Sequence, residues 1–215
     1  MTLPVWSGRE GRRGVVQAPL AIVWSCALGV SAYAAAGKLV EVPEQVCPSC
    51  GGRLGWWSGY WRKLRESGVR VRIWVRRGRC PPCDVTHALL PDFVVERRRY
   101  AVEAIGRVFE ATAARVSAWK SSEVLNLPFA TVRDWRKRCR ERAPEQLAEL
   151  SRLALELGAE IKELPTRSVA ALLAVLKVVW ARTREREPGL AGLWRFWNVV
   201  FSGKGLAPNT EPGWA

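Results

Sequence analysis

The sequence predicts a mainly α protein with a small β zinc ribbon, the ribbon followed by a helix-turn-helix and a C-terminal helical region. Three observations carry that expectation. Two cysteine pairs, Cys47-Pro48-Ser49-Cys50 and Cys80-Pro81-Pro82-Cys83, stand 29 residues apart. Between them, Val69 to Arg76 alternates apolar residues with Arg and Trp, the period of a half-buried strand. Beyond them, apolar residues recur at helical spacing, interrupted by Asn126-Leu127-Pro128.

Taken in order, residues 1–18 are expected to form a disordered tail, since the first dozen are rich in Gly and Arg. From Val15 to Gly37 no residue is charged, and Ala32-Tyr33-Ala34 resembles a signal-peptidase site. Gln17, Pro19, Trp24 and Ser25 break that apolar run, and export would carry thiols suited to zinc into an oxidising compartment. The segment therefore reads as a strand at Ala21 to Trp24 and a short helix capped by Ser31 and ended by Gly37. An extended run from Val40 to Val46 follows, and together with the ribbon these make a unit over residues 19–96.

Two Cys-x-x-Cys pairs separated by a strand-forming stretch are the usual way to gather four thiolates around Zn²⁺, so Cys47, Cys50, Cys80 and Cys83 are the expected ligands. Gly51-Gly52 allows the first pair to turn tightly, with backbone N–H groups aimed at sulfur. A redox dithiol normally comes singly, on a helix of a βαβ unit. His87, the one histidine of the chain, is expected to pack or hydrogen-bond beside the four sulfurs. Cys26 and Cys139 lack partners at metal spacing and read as small buried hydrophobes.

The chain carries a formal net charge of +14, unevenly placed. Residues 47–100 hold twelve Lys and Arg against four Asp and Glu, and residues 101–143 hold nine against five. A basic field so concentrated points to a polyanion, most simply nucleic acid. On the strand, Arg70, Arg72 and Arg76 are expected to contact phosphates.

The helix-turn-helix is expected over residues 97–143. Arg97 to Val116 reads as a first helix, with Val102, Ile105, Val108, Phe109 and Thr112 on one face. Ser117 caps a second that runs to Leu125. Asn126 suits the left-handed turn, Leu127 plugs between helices, and Pro128 begins a third helix from Phe129 to Arg142. On that helix Val132, Trp135 and Cys139 share the buried face. Thr131, Arg133 and Asp134 are then placed for base edges, and Arg136, Lys137 and Arg140 for phosphates and further bases. The fork of Arg matches O6 and N7 of guanine together.

Asn126-Leu127-Pro128-Phe129-Ala130-Thr131-Val132-Arg133-Asp134-Trp135-Arg136 resembles the turn and recognition helix of insertion-sequence transposases. The order of a CPxCGG knuckle, an Arg-rich strand, a second Cys-x-x-Cys and Thr86-His87-Ala88-Leu89-Leu90-Pro91 is similar to their zinc-ribbon start. With Val23 to Leu28 and Ala32 to Gly37, the chain from about Ile22 onward resembles a bacterial family of transposase-like zinc-ribbon type. That likeness implies a class of partner rather than an activity. Metal-dependent transposases use three acidic residues on a separate α/β domain. Here the only aspartates are Asp84, Asp92 and Asp134, none of them in such a setting, so no enzyme is expected.

Residues 144–215 are expected to form a helical region. Leu147, Leu150, Leu153, Ala154 and Leu157 make one stripe ending at Gly158, and Leu190 to Phe201 makes another. Val169 to Ala181 is apolar nearly all round but, at 13 residues, too short to span a bilayer. The expectation is a zinc-dependent, sequence-specific double-stranded DNA-binding protein, a transposase-like accessory factor or transcriptional regulator. It would be cytoplasmic and nucleoid-associated, with a homodimer or a transposase as possible protein partner and no membrane partner. The alternatives are a DNA-binding subunit served by a separate catalytic partner, and an RNA-binding ribbon using Trp56, Trp57, Tyr60, Trp61 and Trp74 as stacking platforms.

Overall fold

A computed structural model describes residues 21–66, 68–161, 163–187 and 192–206; the tail expected at 1–18 lies outside them. The alternating stretch is β3 (Val69–Cys80), paired antiparallel along its length with β2 (Gly55–Glu66). Its apolar members Ile73 and Val75 are buried with Leu64 of β2, whereas Arg70 and Arg72 on the opposite face are exposed, as a period of two requires. β4 (Val85–Pro91) continues the sheet antiparallel to β3, and β1 (Ala21–Trp24) joins β4 in parallel, giving the order β1-β4-β3-β2.

This sheet is larger than the small ribbon expected, because the strands continue past the cysteines and recruit β1. The protein is thus a mixed α/β fold. Helix α1 (Val30–Ala36) begins after Gly29, not at Ser31, and ends where Gly37 takes a left-handed φ of 54°. It packs on β3, with the Tyr33 hydroxyl donating to the Trp74 carbonyl at 3.0 Å.

Helix α2 (Val102–Ala113) starts five residues later than periodicity suggests. The stretch before it serves the sheet edge instead: Arg65 N–H donates to Arg99 O at 2.7 Å and Ala101 N–H to Arg65 O at 2.9 Å. These bonds satisfy groups of β2 that an unpaired edge would expose. The apolar face named above is buried throughout. Helix α3 (Ala118–Leu125) is capped by Ser117, whose hydroxyl accepts from Lys120 N–H at 3.1 Å. Asn126 is left-handed (φ 50°, ψ 49°), as the turn demands.

The expected third helix and the Leu147 stripe are one element, α4 (Phe129–Glu156), which runs 28 residues straight through Pro144. Proline inside a helix costs about 3 kcal/mol. Here the buried stripe of Val132, Trp135 and Cys139 continues through Ala143, Leu150 and Ala154, and packing against α5 (Ser168–Arg186) outweighs that cost. The boundary expected at 143/144 therefore falls inside a helix. Leu190, where the last stripe was expected to begin, lies outside the described residues, and α6 occupies Leu193–Val200.

One apolar core takes residues from Ala21 to Leu206. α6 closes it by polar bonds as well. Asn198, fully buried, donates to Asp92 O at 2.7 Å and Val94 O at 2.9 Å. Arg195 donates to Cys26 O at 3.1 Å and Leu28 O at 3.0 Å, and pairs with Glu103 at 3.2 Å. The units expected at 19–96, 97–143 and 144–215 thus share their interior. Among the described residues no helix is long and apolar enough to cross a membrane.

Candidate metal centre and nucleic-acid interface

The cysteine pairs occupy two turns of the same design. In the first, Gly51 N–H donates to Cys47 O at 2.8 Å with Gly51 at φ 72°; in the second, Asp84 N–H donates to Cys80 O at 2.8 Å with Asp84 at φ 54°. Asp84 fills a position that usually favours glycine, which an Asp tolerates better than most residues, and its carboxylate accepts from Arg79 Nε at 2.6 Å. The first turn is closed by Cys47 N–H donating to Gly52 O at 2.8 Å. Gly52 N–H donates to Cys50 Sγ at 3.4 Å.

These turns bring Sγ of Cys47, Cys50, Cys80 and Cys83 within 4.8 Å of one another. Cys50 and Cys80 sulfurs are 3.4 Å apart and those of Cys47 and Cys83 are 4.0 Å apart. Zn–S bonds of about 2.3 Å in a tetrahedron place sulfurs about 3.8 Å apart, so the donor set fits a tetrahedral thiolate-bound metal.

Burial opposes ionisation of Cys47, but the amides of Ser49 and Cys50 and the His87 ring hold its thiol down to about 6. Contacts with the Cys50 and Cys80 thiols, with burial added, push Cys83 up to about 12. A bound cation would hold all four as thiolates. His87 stands outside the four, fully buried, its Nε2 3.6 Å from Cys47 Sγ, where it would brace that thiolate against a bound metal. Cys26 and Cys139 are buried apart from this cluster.

The outer face of the hairpin carries Arg70, exposed near the tip, and sets the other two predicted arginines, Arg72 and Arg76, in a ladder of rings and cations. Arg72 lies over Trp61 at 5.2 Å, Arg76 over Trp56 at 5.1 Å and Lys38 over Trp74 at 4.8 Å. Arg76 also donates to Lys38 O at 3.0 Å. Trp56 and Trp57 are each more than half exposed, and Tyr60 and Trp61 about 40%. They are not simply packed.

On α4 the predicted residues divide. Arg133, Lys137 and Arg140 are exposed and Thr131 is half-buried. Asp134 is engaged within the helix, accepting from Arg138 Nε at 3.0 and 2.9 Å. Arg136 corrects the expectation of a surface contact: it is 7% exposed and donates through Nη1 to Val116 O at 2.5 Å and to Ser121 Oγ at 3.4 Å. Its position in the helical period sits at the margin of the buried face, so the guanidinium turns inward and pins the α2–α3 turn. Trp119, 64% exposed, lies 6.0 Å from the Phe129 ring at the start of α4. No periodic signal marked Trp119.

Hairpin and helices meet at a defined point. A side-chain carbon placed on Gly68, at the hairpin tip, would stand 3.9 Å from Nδ2 of Asn126. Further along, the Tyr100 ring meets Trp135 edge-on at 5.1 Å.

Residues 47–125, from the first Cys-x-x-Cys pair to the end of α3, match the family described as Domain of unknown function (DUF6431). The matched stretch holds both cysteine turns and the whole β2–β3 hairpin, but stops before α4. No curated protein matches the chain, and neither does any solved structure.

Proposed function

We propose that this chain is a zinc-dependent, sequence-specific double-stranded DNA-binding protein without a catalytic step of its own, serving as a transposase-like accessory factor or a transcriptional regulator. In this reading the four cysteines hold zinc as the clasp of a zinc ribbon, and α2, α3 and α4 form a helix-turn-helix with α4 as the reading element. The observation that carries it is the left-handed turn at Asn126, which leaves the first half of α4 with Arg133, Lys137 and Arg140 exposed. The hairpin tip beside that turn sets a second basic element next to it, suited to phosphates.

Selection of bound fragments from random duplex DNA tests the proposal, and a defined motif is the expected result. Arg133→Ala is expected to cost about 1–3 kcal/mol on that motif and to relax base choice at one position. Arg70→Ala or Arg72→Ala is expected to weaken all duplexes alike and to lower the salt slope by about one. Sequence preference that survives Arg133→Ala but shifts with a hairpin substitution would move readout to the hairpin.

A second reading is favoured by the exposure of Trp56, Trp57 and Trp61. Exposed rings flanked by arginines suit unpaired bases. Preference for single-stranded RNA over duplex DNA in direct competition would select it.

A further inference from the structure

A cleft of about 390 Å³ opens where the end of α2, the middle of α4 and the start of α5 meet. Four arginines line it, Arg115, Arg136, Arg140 and Arg167, and among the described residues no carboxylate does. The side chains of Arg115, Arg140 and Arg167 make no hydrogen bond or ion pair with a described residue. Arg136 is more than nine-tenths buried, and both of its bonds leave from Nη1, so Nε and Nη2 have no protein partner among the described residues. Like charges gathered without a counter-charge repel one another. Burial and the neighbouring Arg140 charge hold the Arg136 guanidinium below its usual range.

Two further features bear on the cleft. Ser168, Val169 and Ala170, the first turn of the 19-residue α5, also line it, and that turn has neither a side-chain cap nor an acidic residue. Its amides are therefore free donors at the positive end of a helix. Arg115 has a φ of 62°, a strained conformation for a long side chain that glycine would adopt at lower cost.

We propose that this cleft binds a phosphoryl anion, the phosphate of a nucleotide or of a nucleic-acid backbone. A carboxylate offers one charge and two oxygens. A terminal phosphoryl group offers up to two charges and three non-bridging oxygens, and a nucleic-acid backbone repeats one charge and two such oxygens at every nucleotide, so either can engage several guanidinium forks and the α5 amides together. The inference does not depend on the DNA-binding reading, because the anion is tested without DNA.

The probe is inorganic pyrophosphate, titrated calorimetrically into the full chain at ionic strength matched with sodium chloride. Wild-type protein is expected to bind it, and Arg115→Gln and Arg167→Gln each to weaken binding at least tenfold. Arg182→Gln, at the far end of α5, is expected to bind as wild type does. In anion-free buffer Arg167→Gln is expected to raise the unfolding midpoint, because it relieves repulsion. Equal binding by wild type and both cleft variants, or no binding by wild type, overturns the proposal. Repeating the titration with bound duplex identifies the source. Displacement of the duplex, with weaker duplex binding by Arg167→Gln, assigns the phosphate to nucleic acid; a ternary complex assigns it to a free ligand.

Discussion

Arg133 and Arg136 lie three residues apart on one helix and do opposite work. Arg136 supplies the donor that satisfies the Val116 carbonyl, and removing a partner from a buried polar group costs about 1–3 kcal/mol. Arg136→Ala is therefore expected to lower unfolding stability by that amount in denaturant titrations. Arg133→Ala, on an exposed site, is expected to stay within about 0.5 kcal/mol of wild type. Loss of stability by the Arg133 variant instead would reverse the assignment.

Asp92 supplies a second expectation at this scale. Burial pushes its carboxyl up to about 6 from 3.8, against the pull of Arg195 at 3.5 Å. The folded chain thus holds this proton through a pH range in which the unfolded chain has released it. The resulting stability is fully present below about pH 4 and is lost as pH rises to 6. Asp92→Asn is expected to flatten that part of the stability–pH curve, read from thermal unfolding at pH 4, 5, 6 and 7. The histidine beside the cysteines and the turn role of Asn126 were legible in sequence because spacing alone fixes them. The inward turn of Arg136 was not, because a residue at the margin of a helical face is decided by what stands across from it.

Among the elements, α2 tests whether packing or propensity governs. Gly106 lies mid-helix, where Ala would be favoured by about 1 kcal/mol, but a Cβ there would stand 2.1 Å from the Trp194 ring. Overpacking of this kind costs about 1–3 kcal/mol, so Gly106→Ala is expected to destabilise, as read by urea midpoint. An increase in midpoint would mean that α6 does not press on α2. The start of α2 departs from its periodicity for a related reason: residues 97–101 have helical composition, but the bare edge of β2 captures their backbone groups. The boundary expected at 143/144 errs in the other direction, since α4 runs on through Pro144. The apolar stripe on either side of that proline, legible in sequence, is the better guide to α4.

For the whole molecule, the proposed metal and the shared core are expected to make separable contributions. Zinc bound to small peptides contributes about 10–16 kcal/mol of apparent free energy, and the cysteine turns close one end of a sheet whose other parts are held by apolar packing. Chelation, or Cys80→Ser, is expected to lower the unfolding midpoint by well over 10 °C, with released zinc detected at one equivalent per chain. Purified reduced protein that contains no zinc would refute the metal assignment. Cutting the chain after residue 143 is expected to leave an unfolded or aggregating fragment, because α4 is severed and α6 no longer covers Phe109. A fragment with cooperative unfolding would show that the front part folds alone.

The seat of Asn198 on the carbonyls of Asp92 and Val94 has a bearing on biosynthesis. Those carbonyls leave the ribosome more than a hundred residues before the amide that satisfies them is made. Until then the sheet and its first helices must persist with an open seam of unsatisfied backbone and uncovered rings. At a translation rate of about 5–20 residues per second, that interval lasts about five to twenty seconds, long enough for a chaperone to occupy the place α6 will take.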